Sequence, residues 1–537
     1  MKPFRQRIKD GHLLRWKAHR PPLIIWLPAF MIGAAMILPP GYLILRTLGA
    51  GGDLWDLLFR IRTLQVMART LILIIGVAGV SIAISLPLAW LTIRSDIPFR
   101  RLWSVLVALP LVIPSYVAGF IVVAALGPKG MLQRLLEGPF GVERLPEIYG
   151  FPGALLTIVI VSYPLVLISL QASLRGIDPS LEEASRSLGQ SQWRTFRLVV
   201  LPQLRPAVAS GALLVGLYTL RDFGAVSLLR YETFTWAIYL QYETSFDRTV
   251  AAGLSMVLMG MALAILFIEA SARGKKQYHR TSTGIMRHPS PVPLGKWRWV
   301  AFAFCAIISL TALFIPISVL VYWLFQGVSR GEPFHLVWGP AINSIFASGI
   351  AALVTTVLSL PVAILAVRYP SIISTIVERA TYIGYALPGI VVALALVFFG
   401  AHYANPIYQT LWLLIFAYLI LFLPQAVGAS RASLLQVTPH VEEVARGLGR
   451  KSLQVLVTVT LPLVRSGVLA GAVIIFFTTM KELPATLILS PIGFKTLATS
   501  IWSATSEAFF ARASAPALLL ILISSVPMAF FTLRERR

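Results

Sequence analysis

Charged side chains and cysteine are scarce in this sequence. Charged residues make up only 13% of the 537 residues, 57% of the residues are hydrophobic, and the mean hydropathy is +0.79. A surface this apolar is incompatible with a soluble globular protein, so the composition predicts a membrane protein. The single cysteine, Cys305, has no second thiol in the chain with which to form an internal disulfide.

Two signatures of chemistry are also absent from the sequence. No Gly-x-x-x-x-Gly-Lys-Ser/Thr phosphate loop occurs, so ATP hydrolysis is not expected in this chain. The seven histidines are scattered, and His402 has no His, Cys or carboxylate near it at ligand spacing. We therefore assign no catalytic residue, no bound cofactor and no firm metal site.

Acidic residues are outnumbered two to one, with 22 Asp and Glu against 46 Lys and Arg. A nucleic-acid partner is not indicated, because the basic residues occupy loops and do not form one soluble face. They concentrate in the amino tail 1–20 and in the segment 271–298, which contains no acid. Basic loops favour the cytoplasmic side, so both termini are predicted to be cytoplasmic.

Apolar runs of about twenty residues, each long enough to cross a bilayer as a helix, recur twelve times. They lie near 22–47, 66–93, 103–126, 152–172, 206–229, 249–270, 299–326, 341–367, 380–401, 407–428, 464–489 and 513–533. Tryptophan and tyrosine near the ends of runs are interpreted as interfacial anchors, with contact of some of them to a docked protein as the alternative. They include Trp55, Trp236, Tyr239 and Trp502.

The chain contains an internal duplication. Residues 173–189 align with 433–449 without a gap, at an offset of 449 − 189 = 260. Shorter matches pair Ser-Leu-Pro at 85–87 with 359–361, Leu-Pro at 109–110 with 387–388, Leu-Pro at 201–202 with 461–462, and Arg221-Asp222 with Lys481-Glu482. Six runs separate equivalent points, so both copies enter the bilayer in the same direction. A parallel repeat disfavours inverted-repeat secondary transporters and predicts a path along the axis between the halves.

The duplicated stretch predicts a short capped helix in each half. In the first copy Asp178 suits the N-cap, Pro179 the first helical position, and Gly189 the left-handed residue that ends the helix. Thr438, Pro439 and Gly449 repeat the pattern. Acids occupy the first turn, and apolar residues form a stripe beside them. These residues are Glu182, Glu183, Ala184 and Leu188 in one copy, and Glu442, Glu443, Val444 and Leu448 in the other.

These loops resemble the signature loop of ABC-importer permeases, Glu-Ala-Ala, three residues, Gly, nine residues, Ile-x-Leu-Pro. Here it reads Glu183-Ala184-Ser185, Gly189 and Val199-Val200-Leu201-Pro202, then Glu443-Val444-Ala445, Gly449 and Val459-Thr460-Leu461-Pro462. The resemblance implies that each loop is a coupling helix docked on an ATPase subunit, with Glu183 and Glu443 at the contact. It therefore implies two ABC ATPase copies as partners, which bind ATP and Mg.

The resemblance extends to the ferric-iron importers around residues 222–239 and 481–502. It implies a type I importer (MetI-like) fold, all-α, with about twelve spans in two parallel six-helix repeats of the bacterial inner membrane. A periplasmic or lipid-anchored ferric-iron-binding protein is the implied partner. The expected organisation is a first half 1–275 (core 64–270, coupling loop 175–205), a basic linker 276–298, and a second half 299–537 (core 339–533, coupling loop 435–465).

Asp222 and Glu482 interrupt apolar runs at equivalent places. One hypothesis is that they line the path and attract Fe3+, a hard ion that suits oxygen ligands. The alternative is that they pair with Arg221, Lys481 or nearby backbone and only hold a bend. Thiamine, polyamine and sulfate-like anions stay open as substrates. An ion-coupled secondary transporter or a membrane-embedded enzyme would not require twin coupling helices.

Overall fold

The computed structural model describes residues 21–49, 60–244, 249–273, 291–332 and 337–534. Within these ranges the chain is helical, and the sole strand-type pairing is a parallel bridge between Ser95 and Val292. The all-α prediction is confirmed. The amino tail, Trp55 and most of the basic linker lie outside the described residues.

Helices of both repeats follow the predicted apolar runs. Those of the first repeat are α1 (Leu23–Leu48), α2 (Ile61–Arg94), α3 (Arg100–Leu106), α4 (Ser115–Leu126), α5 (Met131–Phe140), α6 (Phe151–Gly176), α7 (Pro179–Ser187), α8 (Gln192–Arg221), α9 (Gly224–Leu228), α10 (Phe234–Thr244) and α11 (Thr249–Arg273). Those of the second are α12 (Gly295–Ser329), α13 (Trp338–Arg368), α14 (Ile372–Ala386), α15 (Gly389–Tyr403), α16 (Leu411–Gln436), α17 (Pro439–Gly447), α18 (Ser452–Met480), α19 (Pro484–Leu489), α20 (Leu497–Ser506) and α21 (Phe510–Arg534).

The described residues contain ten helical segments that are long and apolar enough to cross a membrane. The pair α14 and α15 makes an eleventh if it crosses once. The twelfth predicted run, 513–533, falls in α21, whose apolar part in the described chain is the shorter segment Phe510–Ser525. A multi-pass membrane protein of ten to eleven candidate spans is therefore the observed architecture.

One predicted repeat pairing is wrong. Leu109-Pro110 belongs to a 3-10 turn, Leu109–Val112, whereas Pro388 is the N-cap of α15. The structural counterpart of Pro388 is Pro114, the N-cap of α4. Both prolines stand at the start of a helix, α4 or α15, where a missing backbone N–H costs nothing. The short Leu-Pro match was misleading because the first repeat has a four-residue turn, Leu109–Val112, before the proline that begins its helix.

The helices form two packed units, and each unit contains residues of both repeats. One unit consists of residues 1–41, 346–385 and 412–479, and the other of residues 42–345, 386–411 and 480–537. In the first, Gly33 of α1 lies against Val377 of α14. In the second, the ring of Trp103 meets that of Phe302 in α12 edge-on at 5.1 Å. The first helix of each repeat thus packs on helices from the other repeat.

Each unit has its own close helix packing. In the larger one the Tyr163 hydroxyl of α6 donates to the Val107 carbonyl at 2.7 Å, and the Ser85 hydroxyl of α2 donates to the Tyr163 carbonyl at 2.8 Å. In the smaller one Gly467 and Gly471 of α18 contact Ser433 and Ala429 of α16. Small residues let helices approach closely where the bilayer provides no hydrophobic drive for association.

A π turn interrupts α8 at residues 196–200 and α18 at residues 456–460, at the same place in each repeat. The Leu201 N–H bonds the Phe196 carbonyl, and the Leu461 N–H bonds the Leu456 carbonyl. Each turn directly precedes a Leu-Pro pair. Proline lacks an N–H and clashes with the carbonyl four residues back, and the wider turn accommodates this.

Candidate functional site

The first duplicated helix, α7, has the predicted termini. The Asp178 side chain accepts a hydrogen bond from the Ser180 N–H at 3.0 Å, and Pro179 occupies the first turn. Gly189 has φ +80°, a conformation that L side chains rarely adopt. Capping and termination are therefore local properties of this stretch, as predicted.

The second duplicated helix, α17, matches this pattern except at its N-terminus. Gly449 ends it with φ +85°, and Pro439 occupies the first turn. Thr438 stands at the N-cap with extended backbone, but its side chain makes no capping hydrogen bond. The prediction of a side-chain cap is thus wrong for Thr438, and α17 is held by other contacts.

Neighbouring glutamates on these helices face opposite ways. Glu183 and Glu443 are exposed, and Glu443 contacts the His440 ring at 3.1 Å. Glu442 is buried and Glu182 is partly buried. Along a helix adjacent residues point about 100° apart, so one acid faces outward while its neighbour faces the protein.

The apolar stripe of each helix is exposed. Leu188 is 81% exposed and Leu448, its counterpart, is 80% exposed. Val444 is exposed as well, and so is Trp193 just after α7. The two loops therefore expose large apolar side chains at matching positions.

The inward acid of α7 is paired with an arginine from α2. Arg94 Nη2 lies 3.0 Å from Glu182 Oε1 and also donates to the Leu174 carbonyl at 3.0 Å. The Arg94 side chain is 3% exposed. One guanidinium therefore joins the last turn of α2, the end of α6 and the first turn of α7.

The inward acid of α17 has the same partner in the second repeat. Arg368, the last residue of α13, places Nε and Nη2 each 2.9 Å from Glu442 Oε1, and Nη2 donates to the Val437 carbonyl at 3.1 Å. The Thr460 hydroxyl donates to the same Glu442 oxygen at 3.0 Å. Arg446 Nη2 lies 3.6 Å from the other carboxylate oxygen, Oε2. We call these two arrangements, Arg94–Glu182 and Arg368–Glu442, the arginine clamps.

Sequence reasoning missed both arginines, although a signal was present. The Ser-Leu-Pro match at 85–87 and 359–361 has an offset of 274, and 368 − 94 gives the same offset. The repeat therefore extends to an arginine at the end of the second long helix in each half. Only the structure places these arginines beside the glutamates.

The structure places Asp222 at the start of the short helix α9. Its Oδ1 accepts hydrogen bonds from the N–H groups of Ala225 at 3.0 Å and Val226 at 3.4 Å, and its side chain also bonds Ser115. The Thr235 hydroxyl donates to the Asp222 carbonyl at 2.5 Å. Asp222 therefore caps α9, as the alternative of local backbone pairing predicts.

Glu482 occupies the equivalent place before α19. Its Oε1 accepts from the Ala485 N–H at 3.2 Å, and the Thr486 hydroxyl donates to its carbonyl at 2.6 Å. The counterpart of Ser115 here is Gly389, the first residue of α15, and a Cβ built on Gly389 would collide with Glu482 Oε1. Each acid thus fits closely against the start of a long helix of its own repeat.

Aromatic residues predicted as separate interfacial anchors meet in one cluster. Tyr239 lies 5.8 Å from both Trp236 and Trp502, measured between ring centroids, and Phe223 contacts all three rings. Tyr239 and Trp502 also line a cavity of about 860 Å³, together with Glu243, Lys495 and Glu507. Trp236, Tyr239 and Trp502 therefore pack together in one cluster, which the sequence did not predict, and their role as interfacial anchors stays a prediction.

Within the part of the chain that the structure describes, no group of three or more His, Cys, Asp or Glu side chains is arranged to hold a metal ion.

A family model described as "Binding-protein-dependent transport system inner membrane component" matches the chain twice, over residues 81–277 and 359–537. The two matches together cover well over half of the sequence and contain both α7 and α17. The chain belongs to this family. It is a fused permease with two copies of the family domain, and it is a multi-pass protein of the inner membrane.

Curated relatives extend along nearly the whole permease. The Fe(3+)-transport system permease protein FbpB 2 of Haemophilus influenzae is 37% identical over 95% of this chain and 98% of its own length. The ferric transport system permease protein FbpB of Actinobacillus pleuropneumoniae is 26% identical over 87% of this chain and 70% of its own.

A shorter relative reflects the duplication of the permease. The molybdenum transport system permease protein ModB of Escherichia coli (strain K12) is 30% identical over 37% of this chain but over 90% of its own length. The similarity therefore corresponds to a single repeat.

Proposed function

We propose that this permease carries ferric iron across the bacterial inner membrane, driven by ATP hydrolysis on a separate subunit. The observation that carries the proposal is the 37% identity to a Fe(3+)-transport permease over 95% of the chain. Acids at equivalent places of the two repeats, Asp222 and Glu482, are compatible with a cationic substrate.

Iron uptake by intact cells tests the substrate. Deletion of the gene for this chain is expected to abolish uptake of radioactive Fe3+ presented with its binding protein, and a plasmid copy is expected to restore it. Unlabelled thiamine, polyamine, sulfate and molybdate should not compete. Unchanged iron uptake in the deletion strain, together with loss of molybdate or thiamine uptake, would contradict iron as the substrate.

We propose that α7 and α17 each dock one ABC ATPase subunit, so that two copies bind one chain. The support is the exposed pair Leu188 and Leu448, together with the outward acids Glu183 and Glu443. ATP and Mg would bind the ATPase subunits, and this chain would hold no cofactor and perform no catalysis. A periplasmic or lipid-anchored iron-binding protein would deliver the substrate from the other side.

Co-purification tests the docking surface. A tagged chain extracted in mild detergent should bring down the ATPase subunit, and Leu188→Asp with Leu448→Asp should reduce its recovery at least tenfold. Leu135→Asp is the matched control, because Leu135 is a 71% exposed leucine on α5 outside both loops. Equal recovery with the paired variant and the control would contradict docking at α7 and α17.

The path-lining role of Asp222 and Glu482 is a further part of the proposal. Asp222→Asn and Glu482→Gln remove the charges but keep a carbonyl oxygen for the N–H groups of Ala225 and Ala485. If the acids attract the cation, the paired amide variant should lose iron uptake while assembling normally. Undiminished uptake by an intact complex would leave only the capping role.

The proposed orientation has both termini in the cytoplasm, on the same side as α7 and α17. The basic amino tail and the basic linker support it through the preference of Lys and Arg for the cytoplasmic side. Labelling of single cysteines introduced at residues 10 and 280 in a Cys305→Ser background, with a membrane-impermeant reagent, tests it. Labelling in intact spheroplasts at either position would contradict this orientation.

A further inference from the structure

The arginine clamps occupy the same place in both repeats, although the sequences around them differ. In each clamp an arginine at the end of the second long helix reaches the inward glutamate of the duplicated helix at 3.0 or 2.9 Å. The N-cap residues of α7 and α17 are Asp178 and Thr438, so neither glutamate caps its own helix as the N-cap residue. Their position in the first turn suits the helix dipole, but it does not account for the buried arginine beside each of them.

Each clamp also holds the carboxyl end of the long helix that precedes the duplicated helix. Arg94 donates to the Leu174 carbonyl, and Arg368 donates to the Val437 carbonyl. Carbonyls at a helix end have no partner inside the helix and carry partial negative charge, so a guanidinium is favoured there. In the second clamp the planar, forked donors divide this task, because Arg368 Nε donates to the Glu442 carboxylate and Nη2 donates to the Val437 carbonyl, which a lysine ammonium does less well.

Three elements thus meet at each buried guanidinium: a long helix that ends there, a second long helix that ends there, and the first turn of the docking helix. Glu183 and Glu443, one residue farther along, face outward. A partner that displaces the exposed side of α7 or α17 would therefore pull on the clamp directly.

We propose that Arg94 and Arg368 are positioning residues that make each docking helix move as one body with the two long helices behind it. Through them, ATPase motion reaches the translocation path. This proposal rests on the proposed docking of an ATPase at α7 and α17. Without the clamp, the ATPase would still bind and hydrolyse ATP. Its movement would displace α7 or α17 alone and would not move the long helices behind them.

The second clamp is the stronger of the two. Thr460 adds a hydroxyl donor to Glu442, whereas its counterpart in the first repeat is Val200, which has none. Glu442 is 6% exposed and Glu182 is 15% exposed, counting side chains. We expect changes at Arg368 to uncouple more completely than the same changes at Arg94.

The experiment measures iron imported per ATP hydrolysed, in proteoliposomes that contain the permease, its co-purified ATPase and iron-loaded binding protein. Arg368→Gln is expected to lower this ratio at least tenfold, and Arg94→Gln about threefold, with ATPase recovery unchanged. The exchange of both charges, Arg368→Glu with Glu442→Arg, should restore part of the ratio. Arg134→Gln is the matched control, since Arg134 is an exposed arginine on α5 outside both loops.

An unchanged ratio in Arg368→Gln would overturn the proposal, as would equal losses of uptake and hydrolysis. If Arg368→Gln does not accumulate in the membrane, Arg368→Lys is assayed in its place. A wild-type ratio of iron to ATP in Arg368→Lys would likewise overturn the proposal. Failure of the docking proposal is distinguishable, because the wild-type chain would then recover no ATPase.

Discussion

The two repeats place different pairs of residues beside the short helices α9 and α19. In the first repeat a serine, Ser115, bonds the shorter acid, Asp222, whereas in the second a glycine, Gly389, faces the longer acid, Glu482. The carboxylate of the longer acid occupies the space where a side chain on Gly389 would begin. Both repeats therefore keep a carboxylate at this place, while the length of the acid and the size of the residue facing it change together.

The clamps differ between repeats in the same manner. Both have an arginine and a glutamate, but the second adds Thr460 and its glutamate is more buried. The α7 helix has a side-chain cap from Asp178, while α17 has none at Thr438. The first repeat thus has the side-chain cap, and the second has the additional hydroxyl hydrogen bond in its clamp.

The largest expected effect comes from removing the buried acid of the second clamp. Glu442→Ala leaves Arg368 charged, buried and without its carboxylate, which costs about 3–5 kcal/mol of unfolding free energy. Glu182→Ala should cost less, because Glu442 accepts hydrogen bonds from both Arg368 Nε and the Thr460 hydroxyl, whereas Glu182 has the single close contact with Arg94 Nη2 and is more exposed. Unfolding of the purified chain by SDS in mixed micelles measures both. Equal losses would contradict the difference between the clamps.

Next in size is a serine placed at Gly389. Gly389→Ser puts a side chain onto Glu482 Oε1, and overpacking of this kind costs about 1–3 kcal/mol. Adding Glu482→Asp should recover most of the loss, since it recreates the pair found in the first repeat. The same SDS titration measures it. A double variant no more stable than Gly389→Ser alone would show that the two positions are independent.

A smaller effect is expected at Thr460. Thr460→Val makes the second clamp resemble the first and removes one hydrogen bond to a carboxylate, at a cost of about 1.5 kcal/mol. Val200→Thr is the reciprocal change and should not destabilise the chain. The difference in SDS midpoint between the two variants is the measurement, and identical midpoints would contradict a specific role of the Thr460 hydroxyl.

The smallest effect is expected at the helix caps. Asp178→Ala removes the acceptor of the Ser180 N–H and should cost about 1 kcal/mol, whereas Thr438→Ala removes no cap bond and should cost less. Hydrogen exchange of the first-turn amides in α7 and α17 reports on each helix separately. Faster exchange in α17 than in α7 after these changes would contradict the expectation that α7 depends more on its cap residue.

Local features were predictable from the sequence. Apolar runs identified the helices, and the residue types at 178, 179 and 189 identified the start and end of α7 before any contact was known. These features depend on residues a few positions apart, whose preferences are built into the backbone. The internal duplication further predicted that the two repeats enter the membrane in the same direction.

Long-range pairings were not predictable. Glu182 and Glu183 are adjacent acids on one exposed-looking helix, and nothing local distinguishes the one that faces inward. The difference depends on Arg94, which is far away in sequence and adjacent only after α2 and α6 pack. The aromatic cluster at Tyr239 and Trp502 was missed for the same reason, because its rings come from both repeats.

The contact between Gly33 of α1 and Val377 of α14 also sets an order of events during synthesis. The partner of α1 leaves the ribosome roughly 340 residues later, which at 5–20 residues per second is about 20–70 s. Throughout that interval α1 must remain in the bilayer without its final neighbour. Its composition allows this, since Arg46 is the only ionised side chain of α1 and lies in the last turn.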